Sequence, residues 1–200
     1  MRCGWCDTPY ALWHPEGGRR FAADVVAWAI GIGRRYAVFT GGEPVIQLDA
    51  TDISDGLTNA GLHVTLETAG TVFKPLSISL LSLSPKLANS TPHGTSHAKR
   101  HEAARLDFGV MNRLIAHTRK RGGDVQVKFV VTCEADLDKV EAVVARLKDL
   151  APADVLLMPE GRDGVTLDTR SSWVAHACKT RDWRFCPRLH VYLYGDRRGK

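Results

Sequence analysis

Long apolar runs are missing from this 200-residue chain. No stretch reaches the about 18 consecutive apolar residues that a membrane-spanning helix needs, so no membrane partner is expected. An apolar leader is missing as well, because Cys3, Trp5, Asp7 and Pro9 break up the start of the chain. The expectation is a cytoplasmic protein. Cysteine is scarce and odd in number, five in all, which excludes the disulfide framework of a small secreted domain. Cys133, Cys178 and Cys186 stand far apart and read as small apolar filler. Internal repeats and a linker are absent, so residues 1–200 read as one domain. The 44% of hydrophobic residues suffice for its core.

Acidic residues are outnumbered only slightly, for a net charge of +5. The basic residues form no stripe and lack the interleaved aromatics of a single-strand binding surface, so no nucleic-acid partner is expected. Arg119-Lys120-Arg121 reads as a helix C-terminus complementing its dipole, and Arg197-Arg198-Gly199-Lys200 as a basic tail. Small anionic ligands account for the charge at least as well.

What is present is an alternation of two periods. Phe21, Val25, Ala29 and Ile32 mark one helix face, ended by Gly31 and Gly33. A strand over 36–40 runs directly into Gly41-Gly42-Glu43-Pro44, and a helix is expected over 45–60. Strands follow at 63–68 and 76–83, then a polar loop over 88–101 containing Pro92 and Gly94. Helices are expected over 102–121, 135–150 and 169–180, with strands at 124–132, 154–158 and, last, 188–194. Such alternation predicts an α/β protein with a mainly parallel sheet, open or curled into a partial barrel. Ligands of such sheets collect at the carboxyl ends of the strands. Those ends carry Gly41-Gly42-Glu43-Pro44, Glu67-Thr68, Ser84-Pro85-Lys86 and Met158-Pro159-Glu160-Gly161, which would line one mouth.

Cys3 and Cys6 stand at Cys-x-x-Cys spacing ahead of Asp7 and Thr8. That spacing lets two sulfurs face one metal, cluster or disulfide, but two sulfurs do not close a tetrahedral site. Two glycines at 41 and 42 expose backbone to a ligand, and Glu43 offers a carboxylate to a cationic group.

On Cys3-Gly-Trp-Cys6-Asp7-Thr8-Pro9-Tyr10, Thr40-Gly-Gly-Glu-Pro44, Glu67-Thr68-Ala69-Gly70, Ser84-Pro85-Lys86 with Asn89-Ser90, and Arg188-Leu189-His190, the chain resembles the radical S-adenosylmethionine enzymes. Within them it is similar to the 7-carboxy-7-deazaguanine synthases of queuosine and 7-deazapurine biosynthesis. The resemblance implies an incomplete parallel (β/α) barrel whose first strand is missing. It implies a [4Fe–4S] cluster held by Cys-x3-Cys-x2-Cys, of which Cys3 and Cys6 match the second and third cysteines. The first falls two residues before Met1, so the expectation is a start assigned too far downstream. By the same resemblance Thr8 is a Mg²⁺ ligand, and Trp5, Cys6 and Asp7 meet the cofactor. Gly42 and Glu43 bind the methionine part of S-adenosylmethionine. Ser84, Pro85 and Lys86 bind its polar groups, and Met158, Pro159, Glu160 and Gly161 its adenosine end. Thr40 and His190 contact the substrate.

The implied reaction converts 6-carboxy-5,6,7,8-tetrahydropterin to 7-carboxy-7-deazaguanine with loss of ammonia, which makes the chain a carbon–nitrogen lyase. Its partners would be the pterin, an electron donor of flavodoxin or ferredoxin type, and a second copy in a homodimer.

Other readings of the same residues stand beside this one. A thioredoxin-like pair needs a strand before Cys3 and a helix at once after Cys6, where Pro9 and a loop stand instead. A zinc site would borrow ligands from distant cysteines or histidines. His93, His97 and His101 could share a metal only on a helix, which Pro92 and Gly94 oppose. Trp5, Trp13, Trp28, Trp173 and Trp183 read as core or site wall. Another small radical enzyme, of the type that activates glycyl-radical proteins, is the nearest competitor. A chain that truly starts at Met1 would instead be an α/β binding module.

Overall fold

The computed structural model describes residues 1–197; Arg198 to Lys200 of the basic tail lie outside the described residues. Six parallel strands form one sheet in strict chain order. They are β1 (Tyr36–Phe39), β2 (His63–Thr68), β3 (Leu80–Leu83), β4 (Asp124–Val131), β5 (Val155–Pro159) and β6 (Arg184–Phe185). Sequential parallel order, with helices in every connection except that between β2 and β3, is the topology of a (β/α) barrel. Here it stays open, since β1 and β6 each pair on one side only.

The helices are α1 (Pro9–Leu12), α2 (Ala22–Gly31), α3 (Ala50–Asn59), α4 (Ala98–Ala104), α5 (Phe108–Lys120), α6 (Asp136–Val144), α7 (Gly164–Arg181) and α8 (Leu189–Tyr194). Period-two alternation splits the sheet into two faces. Leu66, Leu81, Leu83, Val125, Val127, Phe129, Val131 and Leu157 point to one face and form the core with Met111, Ile115, Val140 and Val174 of the helices. The opposite face is polar. Register places Glu67 beside Ser82, Ser82 beside Gln126, and Lys128 beside Leu156. An open barrel thus has an apolar outside under helices and a polar inside at the carboxyl ends.

The order of elements follows the sequence expectation, with several shifts. The strand expected over 188–194 is a helix, α8. Pro187 offers no N–H to a ladder, so β6 stops at Phe185 after pairing only Arg184 and Phe185 with Leu156 and Leu157. The helix expected over 45–60 starts at Ala50, because Pro44–Ile46 form a 3-10 turn and Gln47 is extended. The helix expected over 102–121 is two helices. Asp107 caps the second by accepting from the Val110 amide at 2.9 Å, and the first reaches back into the stretch read as loop. The strand expected over 76–83 is formed only by its last four residues. The helix over 135–150 ends at Val144. The helix at 169–180 starts earlier, at Gly164, with Asp163 accepting from the Thr166 amide at 2.8 Å. α2 stands where its period predicts, yet its apolar residues are not core: Phe21 is 81% and Trp28 69% exposed.

Candidate active site

The carboxyl ends of the strands open on a cavity of about 840 Å³. The first residues of the chain form one wall and α8 another: Cys3, Trp5, Cys6, Asp7 and Thr8 face Thr40, Gly42, Glu43, Ser84, Lys86, Met158, Arg188 and His190 across it.

The thiol-bearing turn is seated by backbone. The Gly4 amide donates to Ser90 O at 2.9 Å, and Trp13 Nε1 donates to Cys3 O at 3.3 Å. Ser90 is in turn held by His101, whose Nε2 lies 2.9 Å from Ser90 Oγ. Cys3 is buried and Cys6 half-buried. Burial pushes the Cys3 thiol up from its ordinary value, and the Lys86 ammonium opposes that shift. Thr8 Oγ1 donates to Asp7 Oδ1 at 3.3 Å and lies 3.8 Å from Cys6 Sγ.

At the end of β1 the chain turns through Gly41 and Gly42, with φ of 92° and 54°. A Cβ on Gly42 would stand 3.1 Å from Ala11 O of α1, so glycine lets the turn pass beneath that helix. Glu43 follows, 5% exposed. Its Oε1 accepts from Thr68 Oγ1 at 2.6 Å and its Oε2 from the Ala69 amide at 3.0 Å. The carboxylate is fixed before any ligand arrives.

Lys86 Nζ donates to Ser84 Oγ at 2.9 Å and lies 5.7 Å from the centre of the Trp5 ring. Burial holds its pKa below the ordinary lysine range, with the nearby Cys3 thiol pulling the other way. On the inner face, Glu67 Oε2 accepts from Thr40 Oγ1 at 3.0 Å and Oε1 from Lys128 Nζ at 3.1 Å.

A protein named 7-carboxy-7-deazaguanine synthase from Rhodopirellula baltica is 41% identical over 202 residues, covering 100% of this chain and 77% of its own. The chain belongs to the 7-carboxy-7-deazaguanine synthase family. A second member, from Halobacterium salinarum, is 35% identical over 98% of this chain and 79% of its own. No family model matches. Among solved structures, QueE from Escherichia coli aligns with a TM-score of 0.65 at 20% identity, over 94% of this chain and 80% of that one. Streptococcus suis SuiB bound to S-adenosylmethionine aligns at 0.63 and 14% identity, over 95% of this chain and 48% of that one. These two likenesses establish the shared fold.

The synthase family uses a [4Fe–4S] cluster, S-adenosylmethionine and Mg²⁺, and the residues present can be tested against each. The cradle for S-adenosylmethionine fits. Gly41 leaves backbone bare, the Glu43 carboxylate is aimed by two donors, and Trp5 Nε1 is buried on the cavity wall with no hydrogen-bond partner among the described residues. For the cluster, Cys3 and Cys6 supply two thiols to one wall. Among the described residues no group of three or more His, Cys, Asp or Glu side chains is placed to hold a metal ion. For Mg²⁺, Thr8 presents a hydroxyl whose hydrogen already points to Asp7, so that its oxygen can accept, from the Cys6 thiol at 3.8 Å or from a cation.

Most of the residues that the sequence points to thus line one cavity. The turn after β5 does so only in part. Met158 lines the cavity, but Pro159 is buried in the ladder beside Val131. Glu160 pairs with Arg170, and Gly161 engages Arg188 through its carbonyl at 2.9 Å. Pro85 lies buried behind Ser84 and Lys86. The three histidines part company: His97 contacts Arg2 and packs edge-on against Trp13, while His101 holds Ser90. Lys128 and Arg188 went unread as site residues. Lys128 carried a signal, the last polar side chain of the alternating run Asp124, Gln126, Lys128, on the face opposite Val125, Val127 and Phe129. Arg188 stands in the Arg188-Leu189-His190 string, but nothing local marks its pairing with Asp7, 181 residues away.

Proposed function

We propose that this chain carries out the radical ring contraction of 6-carboxy-5,6,7,8-tetrahydropterin to 7-carboxy-7-deazaguanine with release of ammonia, as a carbon–nitrogen lyase. The observation that carries the reading is the Glu43 carboxylate, buried and oriented by Thr68 and Ala69 in the same cavity as both thiols. A fixed anion beside bare backbone suits the ammonium of the methionine part of S-adenosylmethionine. Lys86, kept close to Ser84, suits its carboxylate.

When bound and reduced, the cluster and S-adenosylmethionine supply a carbon-centred radical able to take hydrogen from the pterin. The protein's own part is binding, orientation and exclusion of water. Thr40 and His190 stand on the cavity wall to meet the pterin. Glu67 and Lys128 give its floor one acceptor and one donor already paired to each other. Thr8 would hold Mg²⁺ toward the pterin carboxylate. Reduction calls for a one-electron donor of flavodoxin or ferredoxin type, and the wall of the cavity formed by the chain's first residues is where that electron would enter.

Anaerobic reconstitution with iron and sulfide tests the reading. The expected result is close to four irons per chain, S-adenosylmethionine binding, and 7-carboxy-7-deazaguanine identified by mass after incubation with the carboxy-tetrahydropterin and a reductant. A reconstituted protein that binds S-adenosylmethionine but yields no 7-carboxy-7-deazaguanine would sink it.

A further inference from the structure

Arg188 is 4% exposed, which is uncommon for a guanidinium. A charge this deep must be paired or it is costly. Its Nη2 donates to Asp7 Oδ2 at 2.5 Å, across 181 residues of chain. Its Nη1 donates to Gly161 O at 2.9 Å. The same Asp7 carboxylate accepts from Thr8 through its other oxygen. One planar group thus joins the thiol-bearing turn, the turn after β5 and the start of α8. Arg188 Nε–H is buried with no hydrogen-bond partner among the described residues, Asp7 being shared with Thr8 rather than given bidentate to the arginine.

From this we propose that Arg188 is a positioning residue that locks the two ends of the chain together around the cavity. Asp7 is its counterpart. α8 is six residues long, and of these only Val191 is buried. Its other ties are exposed, Tyr192 Oη donating to Asp168 at 3.0 Å and Asp196, just past its end, pairing with Arg162 at 2.8 Å, so the Arg188 pair is the buried anchor at its start. The thiol-bearing turn, seated by Ser90 and Trp13 on one side, is held by the same pair on the other. With the pair made, His190 is carried to one wall and Thr8 to the other. The consequence for catalysis rests on the reading above; the tie itself does not.

The test uses the full chain without added iron, in two variants. Arg188→Lys keeps the charge but replaces a planar fork by a single ammonium. Asp7→Asn keeps the shape and removes the negative charge. Hydrogen exchange is followed at the Gly4, Cys6 and Ala11 amides of the first turn and at Val191 and Gly195 of α8, which are hydrogen-bonded in the native chain. Reciprocal loosening is expected: Asp7→Asn speeds exchange in α8, and Arg188→Lys speeds it in the first turn, each by at least about tenfold. Exchange along β4 stays unchanged. Loosening confined to the substituted end, or equal loosening of β4, would overturn the proposal. In reconstituted protein both variants should also weaken S-adenosylmethionine binding, and unchanged affinity would overturn the positioning role. A native chain that never binds S-adenosylmethionine bears on the functional reading alone, and the exchange result still decides the tie.

Discussion

Thr68 and Glu43 are 25 residues apart in sequence, and the Thr68 hydroxyl donates to the Glu43 carboxylate over 2.6 Å. The same hydroxyl accepts from the Gly70 amide at 3.1 Å. A bond between the ends of neighbouring strands therefore sets the direction in which the site's central anion points.

Thr68→Val should cost about 1–2 kcal/mol of stability, because it leaves the Gly70 amide and one Glu43 oxygen unpaired in a buried place. S-adenosylmethionine binding, measured by calorimetry, should weaken although the substituted residue needs no contact with that ligand. Glu43→Gln should weaken it more, since an amide meets the same donors without the charge. Equal affinity of Thr68→Val and native protein would show that Glu43 needs no orientation.

Gly41 and Gly42 separate two roles of glycine. Both have positive φ, but a Cβ at Gly41 meets nothing within 4 Å whereas one at Gly42 meets Ala11 O at 3.1 Å. Gly41→Ala should lose only the backbone term, about 1 kcal/mol. Gly42→Ala should lose that and also push α1 from the end of β1, so its affinity for S-adenosylmethionine should fall further. Paired melting curves and binding isotherms check this, and indistinguishable variants would refute it.

Lys86 should be a stability cost at neutral pH. Burial holds its pKa below 10.5, so the folded chain binds fewer protons here than the unfolded chain between the two values. Stability must then rise with pH through that window. Lys86→Met should be at least as stable as the native chain at pH 7, and the native chain should close the gap as pH approaches 10.5. The variant should bind S-adenosylmethionine about tenfold or more weaker. Urea unfolding of both proteins across alkaline pH gives the comparison.

Asp136 should behave in the opposite sense. It is 1% exposed, and burial alone would raise its pKa. Bonds from the Thr132 amide at 2.9 Å, Lys139 at 3.0 Å and Asn89 at 2.7 Å outweigh that and hold it below the ordinary aspartate value. Its contribution is complete above pH 3.8 and is lost as pH falls through the lowered value. Asp136→Asn should therefore be about 3 kcal/mol less stable at pH 7, with the difference shrinking in acid. Since Asn89 adjoins Ser90, which seats the first turn, the variant should also loosen the Cys3 wall.

Much of this was legible in the chain. β2 spans the residues its alternation marks, and the strand ends that carry Gly42, Glu43, Ser84 and Lys86 do share a cavity. Local chemistry accounts for that: turn glycines and caps act within a few residues, and parallel strands bring their ends together. Where the reading missed, a distant partner or a single local residue had overruled the pattern. The alternating apolar run at 188–194 looks like a strand, but Pro187 ends the pairing and the segment coils into α8. Glu160, expected to meet the adenosine end of the cofactor, also pairs with Arg170, ten residues on, a contact that the turn's own pattern does not show.

The sequence by itself determined the parallel α/β class, the position of the mouth and the identity of the residues at its rim, because those follow from periodicity and from turns. Only the tertiary structure decided which groups hold which. That Glu67 lies between Thr40 and Lys128, and that Arg188 reaches back to Asp7, depends on strand register and on the meeting of the chain's two ends. Buried charges must find partners wherever the fold brings them, and no short-range pattern records a partner 181 residues away.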